Sequence, residues 1–181
     1  MVIIMKKTVS ILLILLAFLI IYFLQANVFT WFNIAGVMPN LFIILVLVIG
    51  LFAGKYVGIS VGVVAGLLLD IFIGKKIGVT AITLGIVGFV GSVLDKNFSK
   101  DSRITLVLMV MFLTVAYELL NYSINAIIYT YSLELAEFFI KLAIETIFNV
   151  LLTIILYPLI QKCGYILEEN FKETKILTRY F

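Results

Sequence analysis

Apolar residues run along this chain almost without a break, and the few polar positions fall where such runs have to end. Two lysines, Lys6 and Lys7, precede an apolar run over 9–24, the order of charge then hydrophobe seen in secretory leaders. A cleavage site ending at Ala26 would put Leu24 where a small residue is wanted, so the run reads as a retained first helix, with translation starting at Met1 or Met5. Residues 25–38 are free of charge and hold Phe29, Trp31 and Phe32, a pattern that fits an aromatic belt at a membrane interface or a shallow re-entrant loop. Pro39 suits the first position of a second helix.

From residue 41 to 74 only Lys55 and Asp70 interrupt the apolar stretch. As one helix it would span ~50 Å against a hydrocarbon core of ~30 Å, so it must fold back. The turn is expected at 54–58, giving helices over 39–53 and 56–73. Further helices are expected over 77–94, 104–129 and 138–160, separated by the polar segment 95–103 and an acidic loop with Glu134 and Glu137. The pattern therefore predicts an all-α integral membrane protein of about six spans over 1–160, followed by a cytoplasmic tail at 161–181. In that tail Ile166, Leu167, Phe171 and Leu177 allow an amphipathic helix, with a polar tail as the alternative.

Composition strengthens this reading. The chain of 181 residues is 64% hydrophobic and only 13% charged, where soluble domains carry about 25%. Its mean hydropathy is +1.26. A water-soluble core cannot absorb so much apolar surface, so the expected solvent is lipid. One cysteine, Cys163, excludes an internal disulfide, and the lack of histidine removes the commonest metal ligand and neutral-pH acid or base. A net charge of +3 is too small to point to nucleic acid. With the N-terminus in the cytoplasm, ten of the 13 Lys and Arg residues fall inside and Lys75, Lys76 and Lys141 outside, which favours both termini cytoplasmic in a bacterial inner membrane.

Two features stand out. Gly50, Gly54, Gly58, Gly62 and Gly66 recur every fourth residue, with Gly74 and Gly78 beyond, and Gly85, Gly88 and Gly91 recur every third. Small residues at such spacing let membrane helices approach closely, for packing within the chain, for self-association or for a partner face. The second feature is charge inside spans: Asp70, Glu118 and Glu145 all fall in the outer third, where an unpaired carboxylate costs several kcal/mol. Glu118 shares a face with Asn121, Tyr122 and Asn125, while Glu137, Lys141, Glu145, Asn149 and Thr153 descend the last helix in steps of four. Lys141 is the natural counter-charge of Glu145. This polar cluster reads either as a network fixing helix packing or as a pocket for a ligand or partner segment. The inner half offers no ionisable chain for a proton relay, and no nucleophile elbow, phosphate loop or metal spacing occurs, so no enzyme, cofactor or metal site is expected.

A charged start and a long first helix lead to Pro39-Asn40, then a glycine-punctuated hairpin ending at Gly66 and Asp70, then Gly74 and Gly78, and later Tyr117-Glu118. In this order the chain resembles the MreD family of rod shape-determining proteins over most of 5–160. It departs at Lys75-Lys76-Ile77-Gly78, where members often carry proline. The resemblance implies that Pro39, Asn40, Gly66, Asp70, Gly74, Gly78 and Glu118 match the family pattern. It implies a non-catalytic scaffold of the cell-elongation machinery that binds an MreC-like bitopic membrane protein, links to MreB and wall-synthesis enzymes, and helps organise peptidoglycan synthesis. Members are also similar in fold to the six-helix S-components of energy-coupling-factor transporters. A substrate-binding S-component of a vitamin transporter is thus the alternative, weakened because the first helix holds only Ala17 where S-components repeat alanine to dock their coupling partner.

Overall fold

A computed structural model of the chain describes residues 2–73, 77–129 and 135–172. Gly74, Lys75, Lys76, Glu134 and the tail beyond 172 therefore lie outside the described residues. Six α-helices follow in order: α1 (Val2–Phe23), α2 (Leu41–Ala53), α3 (Lys55–Ile73), α4 (Val79–Asn97), α5 (Arg103–Tyr129) and α6 (Leu135–Phe171). Among the described residues there is no strand, only an isolated bridge between Ile34 and Val37 in the loop before α2. Five helices, all but α2, are long and apolar enough to cross a membrane.

The short helix occupies the centre. At 13 residues α2 measures ~20 Å, well under the ~30 Å of a hydrocarbon core. Nearly every one of its residues is buried, with Ile43, Val46, Leu47, Leu51 and Phe52 having no exposed surface. A helix apolar on all sides needs protein or lipid on all sides, and here α3, α4, α5, α6 and α1 all pack against it. The turn expected over 54–58 shrinks to one residue, because Gly54 at φ +90° reverses the chain and α3 begins at Lys55.

The glycines lie where α2, α3 and α4 touch. A Cβ added to Gly58 would sit 2.7 Å from the Gly50 Cα and 2.8 Å from the Gly88 carbonyl oxygen, and one on Gly66 would sit 2.5 Å from the Ala81 nitrogen. On Gly62 it would lie 2.7 Å from the Leu84 carbonyl carbon, and on Gly91 2.9 Å from the Leu47 carbonyl oxygen. Backbone thus meets backbone across these crossings, the arrangement that gains dispersion contacts in a bilayer. The face of Gly85, Gly88 and Gly91, considered above as a partner face, is turned inward: Gly88 abuts Gly58, Gly91 abuts Leu47, and Gly85 faces the Val63 side chain.

α6 departs most from expectation. Instead of ending at residue 160 it continues through Pro158 to Phe171, ~55 Å in all. Proline removes one helical hydrogen bond, but contacts to the α4–α5 connection hold the extension: Gln161 Nε2 donates to the Lys100 carbonyl at 2.7 Å, and Tyr157 Oη to that of Asp101 at 2.5 Å. α1 is peripheral. It packs on α2 and α6 and leaves Ile11, Leu12, Leu16 and Leu19 more than half exposed.

Candidate functional site

α6 and the residue that follows it secure both ends of α2 with side chains. At its start the Asn40 N–H donates to Asn149 Oδ1 at 2.8 Å, and Asn149 Nδ2 donates in turn to Thr114 Oγ1 on α5 at 3.1 Å. The Pro39 carbonyl accepts from Gln25 Nε2 at 3.1 Å. At its end the Leu51 carbonyl accepts from Lys172 Nζ at 2.7 Å. A helix buried within a membrane protein has no water for its terminal amides and carbonyls, so such partners are required.

The polar cluster divides into two parts around the start of α2. Glu118 of α5 and Glu145 of α6 do meet, their carboxyls side by side. The Asn40 side chain bonds both Glu145 and the Tyr117 hydroxyl, and Tyr117 also bonds Thr83. Glu145 Oε1 and the Tyr122 hydroxyl are buried without a hydrogen-bond partner.

Asp70 stands apart from this pair. Its Oδ2 accepts from the N–H of Gly78 at 2.7 Å and of Ala81 at 3.4 Å, so the buried carboxylate caps α4. Gly78 takes φ +103° to present its amide, a conformation that a Cβ would strain. Lys141 is not the counter-charge of Glu145. It pairs with Glu137 at 3.7 Å on the exposed surface of α6, one turn away.

Between these parts lies a cavity of about 470 Å³. Asp70 and Thr80 line it from α3 and α4, and Tyr117, Asn121 and Asn125 form a stripe down α5. Asn40 and Phe42 close it at the start of α2. The fourth side comes from a π-helical turn, Leu24–Val28, that continues α1 and contributes Gln25 and Ala26. Sequence reasoning missed this turn, and no residue pattern announces it.

A second charged cluster, also unforeseen, lies at the opposite end of α2. Lys100 bridges Asp95 at 2.8 Å and Glu168 at 2.5 Å, and Lys172 bridges Asp95 at 2.7 Å and Glu168 at 3.5 Å. Burial alone would lower the Lys100 pKa, but its bonds to Asp95 and Glu168 outweigh that and hold it above the ordinary 10.5. The spacing of Glu168 and Lys172 by four residues was the available signal.

The family model described as rod shape-determining protein MreD matches residues 5–163. No curated protein and no solved structure matches the chain.

Proposed function

Because the chain belongs to the family of rod shape-determining protein MreD, we propose that it is a non-catalytic scaffold of the elongation machinery in a bacterial inner membrane. On this reading it binds an MreC-like single-pass partner, acts with MreB and wall-synthesis enzymes, and helps organise peptidoglycan synthesis. Both termini are cytoplasmic, in a six-helix arrangement similar to S-components.

Membership in that family carries a role in determining rod shape, and the match over 5–163, which reaches from α1 into α6, is the observation that carries the proposal. The body adds a physical reason to look for a partner within the membrane. Among the described residues little chain lies outside the helices to recognise a soluble ligand, while α1 presents an unpacked apolar face and the following loop exposes Trp31 at 89% and Phe32 at 62%. Since the glycines of α4 are engaged internally, α1 and this loop are the surfaces proposed for the partner helix.

The test is depletion in the rod-shaped host, together with recovery of the protein from native membranes in mild detergent. Rounded cells and a co-purifying bitopic protein are expected. Normal rods with a co-purifying ATPase-coupled transport module would replace this reading with the S-component one.

A further inference from the structure

The cavity beside the π-helical turn has the size and the groups of a small-molecule site, and we propose that it binds an uncharged, sugar-sized molecule bearing hydroxyl or amide groups around an apolar face. Its volume of about 470 Å³ falls in the ordinary range for such sites, roughly 300–1,000 Å³. This goes beyond the scaffold reading and does not depend on it.

Charge comes first. No basic side chain lines the cavity among the described residues. The one lining carboxylate, Asp70, is held by two amides at the start of α4, whose partial positive charge opposes its own. No group of three or more metal-ligating side chains occurs among the described residues. The described lining therefore suits a neutral ligand.

The polar groups suit one. Gln25 and Asn121 are amides that the cavity offers, whereas the side chain of Asn40, which also lines it, is engaged by Glu145 and the Tyr117 hydroxyl. Gln25 carries the sharpest signal: its Nε2 is fixed on the Pro39 carbonyl, yet its Oε1 is buried with no partner in the protein. A buried acceptor without a donor costs about 1–3 kcal/mol, and a turn of the Gln25 side chain toward the cavity would let a ligand hydroxyl or amide N–H remove that penalty. The residue sits in the π-helical turn, a departure from α-geometry that recurs at functional sites. Beside these amides, Phe42, Leu69 and the rings of Tyr22 and Tyr117 give the apolar surface on which the carbon face of a sugar can rest. Tyr22 is held there by Phe72, ring centroids 5.3 Å apart.

Such a ligand could come from solution or as the headgroup of a glycolipid, since the exposed Phe23 is next in the chain to Tyr22, which lines the cavity. The experiment uses the full chain in a zwitterionic, sugar-free detergent, because alkyl glycosides would compete. Equilibrium dialysis compares N-acetylglucosamine with the cationic glucosamine and the anionic glucuronate, each also competed by a glycolipid carrying N-acetylglucosamine. Saturable binding of the neutral sugar is expected, at least ~10-fold tighter than either charged analogue, and weakened ~10-fold by Gln25→Leu or Asn121→Leu, the loss of one hydrogen bond. Leu159→Ala, on the exposed side of α6, should leave it unchanged. Competition by the glycolipid at lower concentration than free sugar assigns the source to the membrane, and the reverse order assigns it to solution. Absence of saturable binding, equal binding of the charged analogues, or equal binding by the two cavity variants overturns the proposal. If those variants do not fold, the charge discrimination of the unmodified chain decides alone. Cell shape is a separate readout, so failure here leaves the scaffold reading standing.

Discussion

Replacing Gly62 with alanine puts a methyl group 2.7 Å from the carbonyl carbon of Leu84 and 3.0 Å from the nitrogen of Gly85. Carbon contacts are most favourable near ~3.5–4.0 Å, so α3 and α4 must part by about 1 Å to admit it, and a gap of that size forfeits about a quarter to a half of the dispersion at neighbouring contacts. The obstacle is backbone, which cannot rotate aside, so the cost belongs at the upper end of the ~1–3 kcal/mol typical of overpacking. Alanine returns about 1 kcal/mol through helix propensity, leaving a net loss of ~2 kcal/mol. Gly85→Ala is the internal control. Its Cβ would meet only the Val63 Cγ2 at 2.9 Å, a methyl that can shift by a few tenths of an ångström, so strain and propensity should cancel. Unfolding of the two variants in mixed micelles, followed by circular dichroism, should separate them by ~2 kcal/mol, about 30-fold in the unfolding constant. A Gly62→Ala protein as stable as Gly85→Ala, or more stable than the unmodified chain, would refute backbone contact as the reason for the glycine ladder.

Asp70→Ala should cost ~1.5–3 kcal/mol by removing the charged cap of α4, and hydrogen exchange should show the loss first at Ala81 and its neighbours. Lys100 has its pKa raised by folding, so its stabilisation is complete below about pH 10.5 and is lost as pH climbs through the higher folded-state value. Lys100→Met should abolish that alkaline loss of thermal stability, and an unchanged alkaline limb would show that the cluster with Asp95 and Glu168 is not its source. A reporter fused after Phe181 should be active only in its cytoplasmic form, and activity of a periplasmic reporter there would invert the topology.

Periodicity and spacing made the helices legible where the signal was local. Runs bounded by Pro39, Lys55 and Arg103 located α2, α3 and α5 to within two residues, and the glycine interval of four pointed to the α2, α3 and α4 contacts that Gly58 and Gly66 make. Sequence could not show that α2 is enclosed by protein, because a helix apolar all round looks the same facing lipid or facing neighbours. Lys141 was assigned to Glu145 by its spacing of four, yet Glu137 lies at the same spacing on the other side, and the exposed pair wins because neither partner loses water. The last helix was expected to end at residue 160, and what carries it on to Phe171 is non-local: Gln161 and Tyr157 reach the carbonyls of Lys100 and Asp101, more than 50 residues away in the chain. Glu118 and Glu145 could be placed at one depth from helix length alone, whereas the diversion of Asp70 to cap α4 depends on its meeting the amides of Gly78 and Ala81.

The capping of α2 by Asn149 and Lys172 has a consequence for the order of events during biosynthesis. Residues 41–53 enter the bilayer when none of 135–172 has yet been made, so the Asn40 amide and Leu51 carbonyl wait through more than 80 further residues for their partners. A helix too short to span, with open ends, is poorly anchored in lipid by itself, and the close glycine crossing with α3 and α4 is what can shelter it in the interval. The last helix to be synthesised therefore completes the first core to form, and a chain that stalls before Asn149 should present an unfinished centre to the proteases that police the membrane.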